Sequence, residues 1–241
     1  MMDAIILAGG LGTRLRSVVP ELPKPLADVR GKPFICYLMD YWLKEGIDHF
    51  ILSVGYKHEL IQNQLGTRYR GIRVSYVVEG QPLGTGGALL QAMNLVEAHN
   101  LVLALNGDTF FAVKLDALKA AHHDAEADMT LSLVEVEGNS RYSGIRLDEK
   151  GFVSGIDPRS ISSSSRLANG GVYLLEPKSL NEFRERKKER LSFEDEILPG
   201  LINAEQRLLG FVSQDVFVDI GIPEDYCRAG DILFSCDRLD D

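Results

Sequence analysis

The chain has 241 residues, 45% of them apolar and 25% charged, the proportions of a folded globular protein and not of a disordered or fibrous one. Thirty-five acidic against 26 basic residues leave a formal charge of −9, so the overall field repels nucleic-acid backbones and anionic lipid, and any anionic substrate must be captured by a local site. No apolar run approaches the ~20 residues that span a bilayer, and the start Met1-Met2-Asp3 lacks the basic residues of a secretory signal; both features predict a cytoplasmic protein with no membrane partner.

Residues 3–8 read Asp-Ala-Ile-Ile-Leu-Ala and stop at Gly9-Gly10, the pattern of a buried parallel strand that feeds a glycine loop. Residues 33–46 carry Phe34, Leu38, Tyr41 and Trp42 at helical spacing between a proline start and a glycine stop. The spacing then predicts a strand over 50–54, a helix over 57–65, a strand over 72–78, a helix over 87–97 and a strand over 101–105. Such βαβ alternation builds a parallel sheet with helices on both faces and gathers ligands at the carboxyl ends of its strands. Beyond Asp128 the texture changes, with strands predicted over 129–136, 144–147 and 152–156, the last two joined by a turn at Lys150-Gly151. A polar loop over 160–165 leads to a strand over 166–175, helices over 177–189 and 193–202, an extended run over 211–220 and a final helix from Pro223. With no repeat and no Pro/Ser-rich linker, residues 1–241 are expected to form one domain.

Gly9-Gly10-Leu11-Gly12-Thr13-Arg14-Leu15 directly follows the first strand, where successive backbone N–H groups can wrap a phosphate. The spacing excludes a Walker A loop, which needs Gly-Lys-Ser/Thr at its end, and a dinucleotide loop, which needs glycine where Leu15 stands. Three glycines alone also suit a purely structural turn. Arg14 and the lysine of Pro23-Lys24-Pro25 point beyond that, since two cations beside such a loop suit the neutralisation of a transferring phosphoryl group. Asp108 and Asp219 each follow a buried apolar run; either alone is an ordinary cap, but as a pair they can share one hard divalent cation. His122-His123 reads as a solvated helix surface, because nothing nearby completes a ligand set. Residues 184–190, with five bases and two acids, read as a solvated helix face and not a nucleic-acid site. Cys36, Cys227 and Cys236, odd in number and without a CxxC pair, suit reduced thiols.

The run Leu7-Ala8-Gly9-Gly10-Leu11-Gly12-Thr13-Arg14-Leu15 with Pro23-Lys24-Pro25 resembles the signature of the sugar-1-phosphate nucleotidyltransferases. The resemblance continues through Gly84-Thr85-Gly86-Gly87-Ala88, Asn106-Gly107-Asp108, Asn169-Gly170-Gly171-Val172-Tyr173 and Phe217-Val218-Asp219-Ile220-Gly221, and so covers nearly the whole chain. Within the family the pattern looks most like bacterial D-glycero-D-manno-heptose 1-phosphate guanylyltransferases, which supply activated heptose for surface polysaccharides. Mannose-1-phosphate guanylyltransferases come next, and uridylyl- or thymidylyltransferases of the same family are the alternative. The resemblance implies a three-layer α/β/α, Rossmann-like fold with a mixed, mainly parallel sheet. It also implies an Mg²⁺-dependent condensation of an NTP, GTP by preference, with a sugar 1-phosphate to give an NDP-sugar and pyrophosphate, and a homo-oligomeric assembly.

By the same resemblance Arg14 holds the departing β- and γ-phosphates, Lys24 holds the α-phosphate, and Asp108 and Asp219 hold Mg²⁺. Leu7, Ala8, Gly9, Gly10, Gly12 and Thr13 line the nucleotide from the loop, with Pro82, Gly84, Thr85, Gly86 and Asn106 opposite. Tyr142, Gly144, Asn169, Gly170 and Glu194 fall towards the sugar, and Arg159 stands where many relatives carry a lysine that grips the sugar phosphate. The attacking phosphate monoester is already largely dianionic at neutral pH, so no general base is needed, which fits the lack of a His/Ser or Cys/His arrangement. Glu79 lies in the loop where relatives read the base: a carboxylate accepts two hydrogen bonds and suits the N1–H and amino group of guanine, whereas O4 of uracil or thymine asks for a donor. Gln81, two residues on, offers such a donor, so both readings stay open. A non-catalytic nucleotide-sugar sensor is the reading from another class, disfavoured because both acids and both cations are present.

Overall fold

The computed structural model describes residues 2–15, 17–96, 101–137, 142–157 and 165–237. The first strand, β1 (Asp3–Ala8), leads into the glycine loop, which contains a 3-10 turn at Thr13–Leu15. A second 3-10 turn, Lys24–Leu26, precedes the small hairpin of β2 (Asp28–Val29) and β3 (Lys32–Pro33). Helix α1 (Phe34–Lys44) starts behind Pro33, whose φ of −56° is already that of a helix entry, and buries Phe34, Leu38 and Trp42. Then follow β4 (His49–Val54), α2 (His58–Leu65), β5 (Arg68–Tyr69), β6 (Ile72–Val78), α3 (Gly84–Ala92), β7 (Val102–Asn106), β8 (Thr109–Phe111) and α4 (Leu115–Asp124). The second half comprises β9 (Met129–Glu137), β10 (Gly144–Leu147), β11 (Val153–Asp157), β12 (Ser165–Leu175), α5 (Leu198–Asn203), β13 (Leu208–Ser213), β14 (Phe217–Asp219) and α6 (Pro223–Asp237).

Ten strands form one sheet in the order β11-β10-β12-β7-β1-β4-β6-β5, with β9 on β12 and β13 on β9. Its centre, β7-β1-β4-β6, is parallel, and the flanking β12 and β5 run antiparallel. Alternate residues of the central strands enter opposite cores, as a two-residue strand period requires. Ala4, Ile6, Phe50 and Leu52 join the core beneath α1, α2, α4 and α6, while Ile5 and Ile51 join the one beneath α3 and α5. The expected three-layer, mainly parallel α/β sandwich is therefore the observed one. Among the described residues no helix is long and apolar enough to cross a membrane.

Several boundaries depart from expectation for local reasons. Helix α3 begins at Gly84, not at Gly87, and yields to a 3-10 turn at Met93–Leu95. The segment expected as a helix over 177–189 is a 3-10 stretch, Pro177–Arg186, and the next helix opens with one π-turn, Phe193–Ile197. The run over 211–220 is two strands, because Ser213 Oγ accepts the Asp215 N–H (3.1 Å) and turns the chain out of the sheet before β14 pairs with β8. Residues 158–164, most of the polar loop, lie outside the described residues. Cys36 is buried and Cys227 exposed, both as free thiols. Of the charged stretch 184–190, Arg184, Glu185 and residues 188–190 are exposed as expected, but only 184–186 are helical, within the 3-10 stretch, and half-exposed Arg186 pairs with Glu189.

The reading of His122-His123 as a solvated surface is half wrong. His123 is exposed, but His122 is 4% exposed and its Nδ1 lies 2.9 Å from Thr130 Oγ1 on β9. An exposed neighbour disguised a core residue, since helical spacing turns consecutive side chains by about 100°. Burial lowers the His122 pKa, with Glu176 and Asp128 opposing the shift only partly. A lowered folded-state value means that the unfolded chain binds more protons, so stability is fully present above the ordinary histidine range and falls as the pH drops through it. Thermal unfolding between pH 7.5 and 5 should show that loss in the wild type and a shallower slope in His122→Gln.

Candidate active site at the carboxyl edge of the sheet

The parallel strands β1 and β7 end side by side, and the Gly107 N–H donates to Leu7 O (3.0 Å) where they stop. The glycine loop leaves from this edge. Its turn is closed by the Leu15 N–H on Gly12 O (3.0 Å), which buries Leu15 and leaves Thr13 and Arg14 exposed. Gly12 rests against the side chain of Lys24. Arg14 makes no side-chain hydrogen bond or ion pair among the described residues and stands available to an anion.

Lys24 is placed by its prolines. The Leu26 N–H reaches Pro23 O (2.8 Å) and the Ala27 N–H reaches Lys24 O (3.0 Å), fixing a 3-10 turn that points the lysine inward. Its side chain is 9% exposed and Nζ lies 2.5 Å from Asp108 Oδ2. The antiparallel pair β14 and β8 sets Asp219 opposite Thr109, and the Ile220 N–H donates to Asp108 O (3.0 Å), so Asp108, just before β8, and Asp219, at the end of β14, come side by side. Asp219 Oδ1 accepts the Gly221 N–H (2.6 Å) and Oδ2 accepts the Tyr142 hydroxyl (3.0 Å). Asn106 Oδ1 and Thr109 Oγ1, on either side of Asp108, are buried and have no hydrogen-bond partner among the described residues.

This donor set fits Mg²⁺. Its members are hard oxygens, and the lysine ammonium drawn onto Asp108 shows that this carboxylate attracts a cation. Two carboxylates alone would leave its remaining positions to phosphate oxygens and water, the partners Mg²⁺ keeps; no cluster of three or more His, Cys, Asp or Glu side chains that could hold a metal ion occurs among the described residues.

The loop after β6 is bound to the segment after the 3-10 stretch. The Leu191 N–H donates to Leu83 O (2.8 Å), and the Gly86 N–H returns to Leu191 O (2.9 Å). Gly84, with φ +70°, passes so close that a Cβ there would lie 2.4 Å from Leu191 O; only glycine satisfies both the angle and the approach. Thr85 Oγ1 accepts the Phe193 N–H (2.9 Å) and donates to Glu194 Oε2 (3.0 Å). Glu79 is not an exposed loop acid. Its carboxylate is half-buried, takes the Ser53 hydroxyl (3.2 Å) and the Leu83 N–H (3.0 Å), and has its pKa raised by burial against those two bonds. Gln81, the alternative base reader, is exposed and extends its amide to Lys188 O (3.5 Å).

The residues assigned to the sugar divide. Asn169 donates to the Tyr173 hydroxyl (2.6 Å) and accepts the Gly171 N–H (3.0 Å), which stabilises a bulge where residues 170–172 of β12 oppose one residue of β9. Gly170 lies against the Phe111 ring. Tyr142 and Gly144 flank the acids and β12, with Tyr142 on Asp219 and not free towards a sugar alone. Arg159 lies outside the described residues. Tyr173, which sequence reasoning did not single out, joins these parts: it is fully buried, and burial, helped by the charge on Glu194, pushes its pKa well up, so it remains a neutral hydroxyl shared with Asn106 and Asn169. Ser53 was also missed, although a lone hydroxyl in the apolar run Phe50-Ile51-Leu52-Ser53-Val54 was a visible signal.

A glycine loop, two cations and two acids at the carboxyl edge of a mainly parallel sheet are the arrangement of a nucleotide-handling α/β protein. The chain belongs to the nucleotidyl transferase family, whose model matches residues 3–234. It is 43% identical to the D-glycero-alpha-D-manno-heptose 1-phosphate guanylyltransferase of Aneurinibacillus thermoaerophilus, over 95% of this chain and 96% of that one. The Campylobacter jejuni protein of the same name is 38% identical over 93% and 97%. HddC from Yersinia pseudotuberculosis, solved also in complex with GMP-PN, superposes with a TM-score of 0.83 at 35% identity, covering 96% of this chain and 99% of its own.

Thr85→Val keeps shape but removes both bonds of the hydroxyl, leaving the Phe193 N–H unsatisfied. Urea unfolding should register a loss of roughly 1–3 kcal/mol.

Proposed function

We propose that this chain condenses GTP with D-glycero-α-D-manno-heptose 1-phosphate, forming GDP-heptose and pyrophosphate. The convergence of the glycine loop, Lys24, Asp108 and Asp219 at one strand edge carries this reading, and the names of the relatives described above support the choice of base and sugar. A phosphate oxygen of the sugar phosphate attacks the α-phosphorus in line; the new O–P bond forms as the bond to the β-phosphate oxygen breaks, and the electron pair leaves on pyrophosphate. The chain's task is to position two anions and offset their charge. Backbone N–H groups from Gly9 to Thr13 receive the triphosphate, exposed Arg14 binds its β- and γ-phosphates, and Lys24 brings positive charge to the α-phosphate. Asp108 and Asp219 would hold Mg²⁺, which when bound would supply further neutralisation of phosphate charge. Glu79 accepts the N1–H and amino group of guanine; its place against the glycine loop, with Gln81 directed elsewhere, favours a purine reader over a pyrimidine one.

Pyrophosphate release from a panel of GTP, ATP, CTP, UTP and dTTP, each with heptose or mannose 1-phosphate and Mg²⁺, tests the assignment. Turnover should be confined to GTP with heptose phosphate and vanish on chelation. Turnover with UTP or dTTP overturns the base, and nucleotide binding without pyrophosphate overturns catalysis. Asp108→Asn, whose amide oxygen still accepts from Lys24, should remain folded by thermal melt yet lose on the order of 10²–10³ in kcat.

A further inference from the structure

Strand β4 is apolar through its centre except for Ser53, which is wholly buried. A hydroxyl there costs stability unless it is bonded, and alanine or valine would pack with no such demand. The bond it makes is to Glu79 Oε1 (3.2 Å) on the neighbouring strand's exit. Glu79 Oε2 takes the Leu83 N–H (3.0 Å), and the Glu79 backbone N–H donates to Val54 O (2.8 Å). The carboxylate is thus held at both oxygens and at its root. It lies directly over Gly9, where a Cβ would sit 2.0 Å from Oε1.

We infer that Ser53 is a specificity-determining positioning residue, which fixes the rotation of the Glu79 carboxylate so that both oxygens meet guanine together; the inference rests on Glu79 as the base reader proposed above. Each carboxylate oxygen has two acceptor directions, and the chain uses one on each, leaving a matched pair. Guanine offers N1–H and the 2-amino group in one plane, so a carboxylate free to turn keeps at most one of them well aligned. Ser53 also favours the ionised form, opposing the burial that raises the Glu79 pKa. A protonated carboxyl would present a donor where guanine requires an acceptor.

ITP is the discriminating probe, because it keeps N1–H and lacks the 2-amino group. Ser53→Ala should lower the preference for GTP over ITP in kcat/KM by about tenfold, the equivalent of one hydrogen bond of ~1.4 kcal/mol. The change should lie in the KM for GTP, with kcat little altered. As the pH falls, that KM should begin to rise at a higher pH than in the wild type, since losing the Ser53 bond raises the Glu79 pKa further. Ser53→Thr, which keeps the hydroxyl, should restore the preference, and Ser53→Cys, close in size, serves where the alanine variant fails to fold. Glu79→Gln separates the two levels of the argument. If it leaves the GTP preference intact, the reading of Glu79 falls; if it abolishes the preference while Ser53→Ala and Ser53→Cys retain wild-type selectivity and pH profile, the role of Ser53 is overturned. Equal losses with GTP and ITP in the Ser53 variants would also overturn it.

Discussion

A lysine ammonium with 9% of its side chain exposed is tolerable only where a counter-charge meets it, and the edge of the sheet is organised around that meeting of Lys24 with Asp108. The two residues are 84 positions apart, and each is held by other means: Lys24 by a turn between prolines, Asp108 by the end of β7 and by the Ile220 N–H. The pair therefore joins the glycine loop, the sheet centre and β14. It also collects on one spot the positive charge and the oxygen donors that phosphoryl transfer requires.

The two halves of the sheet do different work. The parallel half delivers backbone: strand ends β1 and β7, joined at Leu7 and Gly107, free the N–H groups of the loop that follows. The antiparallel half delivers side chains. Strand β12 runs along β9 while its other side pairs with β10 and then β7, and the bulge at residues 170–172 lets Asn169 and Tyr173 share a hydroxyl near Asn106. The loop from Glu79 to Gly87 and the turn at Leu191–Glu194 close the remaining side through Thr85 and Gly84.

Much of this was legible from pattern. The apolar run at Asp3–Ala8 and the segment Ile72–Val78 began and ended as read, because glycine or a turn bounds each sharply. Strand β8 escaped notice because three residues carry no periodicity, and its role arises from pairing with β14 far along the chain. Helix α3 was read as starting late because Gly84 to Gly87 look like a loop, yet hydrogen bonds to Leu191 make them a helix entry. Motif reading located the cations and acids. The contacts of Tyr142 with Asp219, of Ser53 with Glu79 and of Tyr173 with Asn106 join residues distant in sequence, and no local pattern contains them.

Helix α6, which follows Asp219 almost at once, is tied back to the β2–β3 hairpin: Arg30 pairs with Asp231 at a separation of 201 residues, and the Tyr226 hydroxyl reaches Asp28 O. That hairpin continues from the Lys24 turn. For a chain emerging from the ribosome amino end first, the loop and the parallel strands can assemble early, but the Lys24–Asp108 site gains its second acid only when β14 and α6 have emerged. A partly synthesised chain therefore carries the glycine loop and Asp108 before Asp219 can be set beside them, so this edge of the sheet is among the last parts of the fold to be completed.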